Sequence, residues 1–259
     1  MKNNIGLRNI NSICYLNSII QSLISINNFN KGIKKKKEEY IKDNNEIGML
    51  FYNIIIKIEK EIEISEENYI MSQKLGYSGQ QCAHEVLIKI IEKLNMEDLF
   101  KIKHEKSIYC TECEIITNTS DDISYIYENF IDEDENITNI INQNINTLND
   151  YKCDDCEKKV KQIIINNLKE TNDVFIIIFN QYYKKRNKKY EKILNLYTGN
   201  YKLKAKIEHI GSQYGGHYWA KRYKEAQIIK IDDELISREE EEEDIKSKYI
   251  YMLLYERIN

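Results

Sequence analysis

The chain has 259 residues, enough for one large domain, and its 42% hydrophobic content supports a packed core. Its 38 basic and 42 acidic side chains leave a net charge of −4, which speaks against a general nucleic-acid binder. No apolar run reaches the length of a membrane span, and Lys2-Asn3-Asn4 does not open a signal peptide. The expectation is a soluble, monomeric protein of the cytoplasm, extending to the nucleus, with neither a nucleic-acid nor a membrane partner.

From Tyr15 onward, Leu16, Ile19, Ile20, Leu23 and Ile24 recur at helical spacing and place Cys14 at a helix N-terminus. The Lys34–Lys37 run with Glu38 and Glu39 reads as a solvated connection or helix face. Residues 49–62 form a second predicted helix. Ala83, Val86, Leu87, Ile90, Ile91 and Leu94 mark a third, which is amphipathic. After about Lys106 the texture changes to strands, expected at 124–127, 161–168, 174–179, 201–209, 218–223 and 249–255. Val174 to Phe179 is apolar throughout and so expected to be buried. The basic stretch Tyr183 to Glu191 and the stretch Ser212 to Gly215 read as loops, and Glu239 to Asp244 as a solvated acidic run. Helices first and strands second, without repeats, give an α+β fold class. There is no proline, and Ile, Asn, Lys and Tyr are heavily used. That skew suits a low-GC genome and weakens propensity arguments.

Six cysteines are present: Cys14 and Cys82 alone, and the pairs Cys110/Cys113 and Cys153/Cys156. This pattern fits a reducing compartment better than a disulfide framework. A two-residue gap lets both thiolates of a pair face one tetrahedral zinc ion, and two pairs make a four-cysteine structural site clamping two hairpin tips. Redox dithiols and chance spacing are the alternatives. Cys14 has the setting of a nucleophile, because a helix N-terminus and a nearby imidazolium both favour a thiolate; the bland reading is a small buried hydrophobe. His217 follows Gly215-Gly216, where the absence of side chains allows a tight turn and leaves room for a substrate chain. Asp232 lies fifteen residues further on, in an expected hairpin partner strand, where it would orient the ring. Asn9, five residues before Cys14, has an amide able to donate to an oxyanion beside the Cys14 N–H. A polar turn and an ordinary turn asparagine are the plain readings of these last two.

Taken together, these residues resemble the ubiquitin-specific proteases, the papain-like deubiquitinases. Gly6-Leu7-Arg8-Asn9 with Cys14-Tyr15-Leu16-Asn17-Ser18 is similar to their cysteine box, and Gln80-Gln81-Cys82-Ala83-His84-Glu85 to a helix start of that family. The stretch His209 to Tyr218, Ile231-Asp232-Asp233 and the last apolar strand are similar to their histidine box and final strand. The resemblance covers nearly the whole chain. It implies one catalytic domain over 1–259, with a helical thumb (about 1–105), zinc-tipped β fingers (about 106–168) and a β palm (about 169–259). It further implies that Cys14 is the nucleophile, His217 the base, Asp232 the orienting acid and Asn9 the oxyanion donor. Gln80, Gln81, Glu85, Gly215, Gly216 and Tyr218 would line the channel for the Gly-Gly tail of ubiquitin, the expected partner. Cys110, Cys113, Cys153 and Cys156 would hold structural zinc. An inactive ubiquitin-binding module and a protease for another Gly-Gly modifier are the rival readings. The chain departs from the family pattern at three places: Asn11-Ser12-Ile13 stands for Gly-Asn-Thr, Cys82 for an aspartate that contacts the modifier's tail, and Ile231 for phenylalanine. Asn11 tolerates a left-handed turn better than most side chains.

Overall fold

The computed structural model describes residues 4–124, 127–129, 137–179, 188–212, 215–224, 227–239 and 246–258. Six helices come first: α1 (Cys14–Ile24), α2 (Asn27–Lys35), α3 (Lys37–Lys42), α4 (Glu46–Glu59), α5 (Glu67–Lys74) and α6 (Ala83–Lys93). The three expected helices are α1, α4 and α6. The Lys34–Lys37 run spans the end of α2 and the start of α3, and is thus a helix face. Helices α2, α3 and α5 are additions. They are short, and few of their side chains are buried (Phe29 and Ile33, Tyr40, and Asn68, Met71 and Ser72), so no long apolar stripe announces them.

The strands after Lys101 are β1 (Ile102–Cys110), β2 (Ile116–Ser124) and β3 (Tyr127–Asn129). A short helix α7 (Ile137–Asn142) precedes β4 (Gln143–Lys152), β5 (Lys159–Thr171) and β6 (Val174–Phe179). The remainder are β7 (Lys188–Lys189), β8 (Ile193–Leu196), β9 (Gly199–Ser212), β10 (Gly215–Lys224), β11 (Gln227–Asp232), β12 (Leu235–Glu239), β13 (Lys246–Ser247) and β14 (Ile250–Ile258). Strands β2-β1-β5-β4 form one antiparallel sheet, and β12-β11-β10-β9-β14-β6-β3 form a larger one with β8 added beside β9. Tyr125 and Ile126 of one expected strand, most of the basic stretch 183–191, Gln213 and Tyr214, and residues 240–244 of the acidic run lie outside the described residues.

The larger sheet has a core on each face. Alternate side chains of a strand point to opposite faces, so Val174, Ile176 and Ile178 of β6 join the helices' cluster. Phe175, Ile177 and Phe179 join a second cluster with Tyr201, Leu203 and Tyr255. Burial on both faces explains why β6 reads as an unbroken apolar run. Helix α1 is buried along its whole length, against β9, β10, α2 and α6. Wedging the helix that starts at Cys14 against the strand that carries His217 is the structural act on which the site depends. Among the described residues no helix is long and apolar enough to cross a membrane.

Candidate active site

The loop before α1 takes two left-handed residues in succession, Asn11 (φ 61°) and Ser12 (φ 62°). Asparagine tolerates this left-handed conformation better than most side chains, and both residues hold it without a glycine. The loop delivers Cys14 to the first helical position with its side chain almost fully covered. The Tyr218 main chain hydrogen-bonds the Cys14 thiol, as do the N–H groups of Tyr15 and Cys14 itself, and all three favour the thiolate. Burial outweighs them and pushes the thiol above its usual range, with nearby Asp233 adding to the rise. The helix N-terminus therefore acts as expected, but the resting thiol stays neutral because it is desolvated.

His217 sits on β10 between two residues that line the same cleft as Cys14. Its Nε2 is 2.6 Å from Asp232 Oδ1, at the end of β11, which pairs antiparallel with β10. The expected hairpin geometry thus brings Asp232 to the ring. Lys230 stands 3.6 Å from the other Asp232 oxygen and over the Trp219 ring, so the acid is held from its far side. This arrangement leaves Nδ1 of the imidazole for another partner.

Asp233, next to the expected acid, is the residue that sequence reasoning passed over. It occupies a left-handed turn position (φ 53°), its Oδ2 is 4.0 Å from His217 Nε2, and burial raises its carboxyl pKa. Asn17, buried in α1, donates to Asp233 Oδ1 at 2.8 Å and to the carbonyls of Leu7 and Arg8 at 3.2 Å, and accepts from Asn68 at 2.7 Å. Leu7 N–H donates to the Asp233 carbonyl, and a Cβ on Gly6 would come within 2.5 Å of the Glu234 backbone. The N-terminal segment, α1 and the turn after β11 are thus locked by one buried amide. Asn9 is exposed and its side chain hydrogen-bonds Asp233. At rest its amide is therefore turned toward the acid.

A cleft of about 240 Å³ is lined by Cys14, Gln80, Gln81, Gly215, Gly216 and Tyr218, with Tyr15, Cys82, His209 and Ser212 completing it. Five of the six expected tail-channel residues are brought together here. Glu85 lies just beyond, in the first turn of α6. The two glycines do more than leave room. Gln80 clasps Gly216 by donating to its carbonyl at 2.9 Å and accepting from its N–H at 3.3 Å. A Cβ on Gly215 would meet Gln80 Oε1 at 2.6 Å, and one on Gly216 would overlap His209 Nε2 and the Ile210 carbonyl. Neither glycine has positive φ, so close approach rather than a tight turn requires them.

The four paired cysteines meet at the tips of the β1–β2 and β4–β5 hairpins, where the two spacings placed them. Cys110 and Cys156 Sγ are 3.9 Å apart, as are Cys113 and Cys153, and all four sulfurs lie within 4.8 Å of one another. A tetrahedral ion with ~2.3 Å bonds to sulfur needs sulfurs ~3.8 Å apart. Two of the sulfur pairs already stand at that spacing, and the set can hold a metal ion.

A family model described as ubiquitin carboxyl-terminal hydrolase matches residues 5–255. The chain belongs to that family. No curated protein matches the sequence. Among solved structures, the SAGA DUB module of Ubp8, Sgf11, Sus1 and Sgf73 bound to monoubiquitin aligns over 100% of this chain and 70% of that one, with a TM-score of 0.81 and 19% identity. A yeast SAGA DUB module carrying an Sgf73 mutant gives the same TM-score and identity over 69% of its chain. The Ubp8 module bound to ubiquitin aldehyde gives 0.78 over 70%, again at 19% identity. At that identity the likeness is one of fold, and it is the α+β catalytic fold that the sequence resemblance implied, with four clustered cysteines where its fingers would be tipped.

Proposed function

We propose that the chain is a thiol-dependent deubiquitinase that hydrolyses the isopeptide bond after the C-terminal Gly-Gly of ubiquitin. The observation that carries this reading is the pairing of His217 Nε2 with Asp232 Oδ1 at 2.6 Å, on the strand whose next residue hydrogen-bonds the Cys14 thiol. Membership of the family supports it independently.

In the proposed reaction, the ubiquitin tail enters the cleft between β10 and the segment that leads into α6, where the Gly215-Gly216 backbone faces it without side chains. His217 takes the Cys14 proton, and the thiolate attacks the carbonyl of the terminal glycine. Asp232 holds the imidazole by its Nε2 and stabilises the imidazolium that forms. The Cys14 N–H and the Asn9 amide donate to the oxyanion, which requires Asn9 to leave Asp233. His217 then protonates the leaving lysine amine, and the acyl-enzyme is released by water that His217 activates. A neutral resting thiol suits this order: the charge is created only when His217 can accept the proton. Gln80 fixes the position of Gly216 and so of the histidine beside it.

The metal held by Cys110, Cys113, Cys153 and Cys156 is proposed to be zinc, since four thiolates in tetrahedral spacing suit it. With every position filled by protein it would clamp the two hairpins and take no part in the chemistry. The proposed partner is ubiquitin, and the proposed setting is the cytoplasm and nucleus. The test is hydrolysis of ubiquitin carrying a fluorogenic amine at its C-terminus. Turnover that disappears in Cys14→Ala and falls steeply in His217→Ala is expected. An inactive wild type that still binds ubiquitin would favour the binding-module reading instead.

A further inference from the structure

Three groups of metal-ligating side chains occur among the described residues, and two are accounted for: the four paired cysteines, and His217 with Asp232 and Asp233. The third is Cys82, His84 and Glu85, whose ligand atoms all lie within 4.8 Å of one another. We propose that these three residues form a second site for a thiophilic divalent cation, of which zinc is the natural example, and that an ion bound there obstructs the cleft.

The placement follows from how α6 begins. Cys82 is its N-cap residue, with extended backbone (φ −76°, ψ 119°), and its sulfur accepts from the Glu85 N–H of the first turn. The side chains at an N-cap and three residues later turn back toward each other over the first turn, which is how capping pairs meet. Cys82 and Glu85 occupy those positions, with His84 between them. Cys82 Sγ is 3.0 Å from His84 Nδ1, and the Tyr251 hydroxyl from β14 stands 3.1 Å from the sulfur and 2.8 Å from the ring nitrogen. Three polar atoms from two elements thus converge on one point, and a carboxylate is within reach.

The donor chemistry selects the ion. A thiolate, an imidazole and a carboxylate suit zinc and its neighbours in the transition series, whereas calcium and magnesium prefer oxygen alone. Thiolate and carboxylate together balance a charge of +2. Three protein ligands leave a fourth position open, unlike the closed four-cysteine set. Cys82 and His84 are half-buried and Glu85 is exposed, so an ion can reach the site from solvent.

Cys82 also lines the cleft that holds Cys14, Gln80 and Gly216. An ion on its sulfur would stand at the edge of that space, since Cys82 alone of the three ligands lines it. The obstruction half of the proposal rests on the reading of this cleft as the channel for the modifier's tail; the binding half does not.

The experiment uses the whole chain loaded with one equivalent of zinc, titrated with further Zn²⁺ against a chromophoric chelator. A second equivalent is expected to bind. It should weaken by at least about tenfold in Cys82→Ser and in His84→Ala, and persist in His217→Ala. A wild type that takes only one equivalent, or a second equivalent that survives both Cys82→Ser and His84→Ala, would overturn the site. The same zinc series is then run on hydrolysis of ubiquitin with a fluorogenic amine. Half-inhibition is expected at a concentration at least about tenfold higher in Cys82→Ser than in wild type; equal inhibition of the two would overturn the obstruction. Absence of any hydrolysis by the wild type would refute the proposed function while leaving the binding result to stand or fall alone.

Discussion

Asn17→Ala removes the amide that joins the N-terminal segment, α1 and the turn holding Asp233. Four partners are affected. Asp233 loses a hydrogen bond to a charged group, worth about 1.5–3 kcal/mol. The Leu7 carbonyl loses its donor and the Asn68 amide loses its acceptor, each at about 1 kcal/mol. The Arg8 carbonyl still receives the Asn68 amide at 2.8 Å, so its loss is small. The expected destabilisation is therefore about 3–5 kcal/mol, read as a lowered midpoint in urea. The penalty should also depend on pH. Burial holds the Asp233 carboxyl above its usual range, and Asn17 is first among the groups that oppose this. Without Asn17 the folded carboxyl rises further above the unfolded value of about 3.9, and stability declines as pH climbs through and past that value. The deficit at pH 7 should exceed the deficit at pH 4. In a double-mutant cycle with Asp233→Asn, the two changes should couple by about 1 kcal/mol or more. A loss below about 1 kcal/mol, or additive behaviour in the cycle, would refute the idea that this amide locks the site.

Three other outcomes follow from the same geometry. Cys82→Asp replaces a weak sulfur acceptor at the N-cap of α6 with a carboxylate and should stabilise the protein by about 1 kcal/mol in thermal melts; it should also tighten ubiquitin binding by calorimetry, because a carboxylate then faces the cleft. Alkylation of Cys14 by iodoacetamide should rise about tenfold per pH unit from pH 7 and continue past pH 9, because burial holds the thiol neutral; a plateau below pH 8 would show a preformed thiolate. Stripping metal with a chelator, or Cys110→Ser, should lower the melting temperature and loosen the β1–β2 and β4–β5 hairpins in hydrogen exchange before it affects the Cys14 alkylation rate.

Much of the fold could be read where burial imposes a period. Helices α1 and α6 pack one face or more against a core, and β6 is buried on both faces, so their apolar patterns survive the excess of isoleucine. Strands β1 and β4 escaped notice for the opposite reason. The middle of β1 is only half-buried, and Ile145, Leu148 and Tyr151 of β4 are exposed, so no alternation marks either strand. In the site, Cys14, His217, Asp232 and the four paired cysteines stand in patterns whose chemistry is local and recognisable. The supporting contacts join residues far apart in the chain: Asn17 with Asp233, Gln80 with Gly216, and Cys82 with Tyr251. Asn17 and Tyr251 do fall within the motifs that carry the resemblance, but in a sequence so rich in asparagine and tyrosine nothing local names Asp233 or Cys82 as their partners. The adjacent acids at 232 and 233 were the one available signal, and only the fold separates the one that holds the imidazole from the one held by Asn17.

The most direct measurement is covalent trapping with ubiquitin whose C-terminal carboxylate is replaced by an electrophile, followed by intact-mass and peptide mapping. The account predicts one ubiquitin per chain, attached to Cys14, absent in Cys14→Ala and much slower in His217→Ala. An adduct on Cys82 or any other residue, or none at all from a folded wild type, would contradict it.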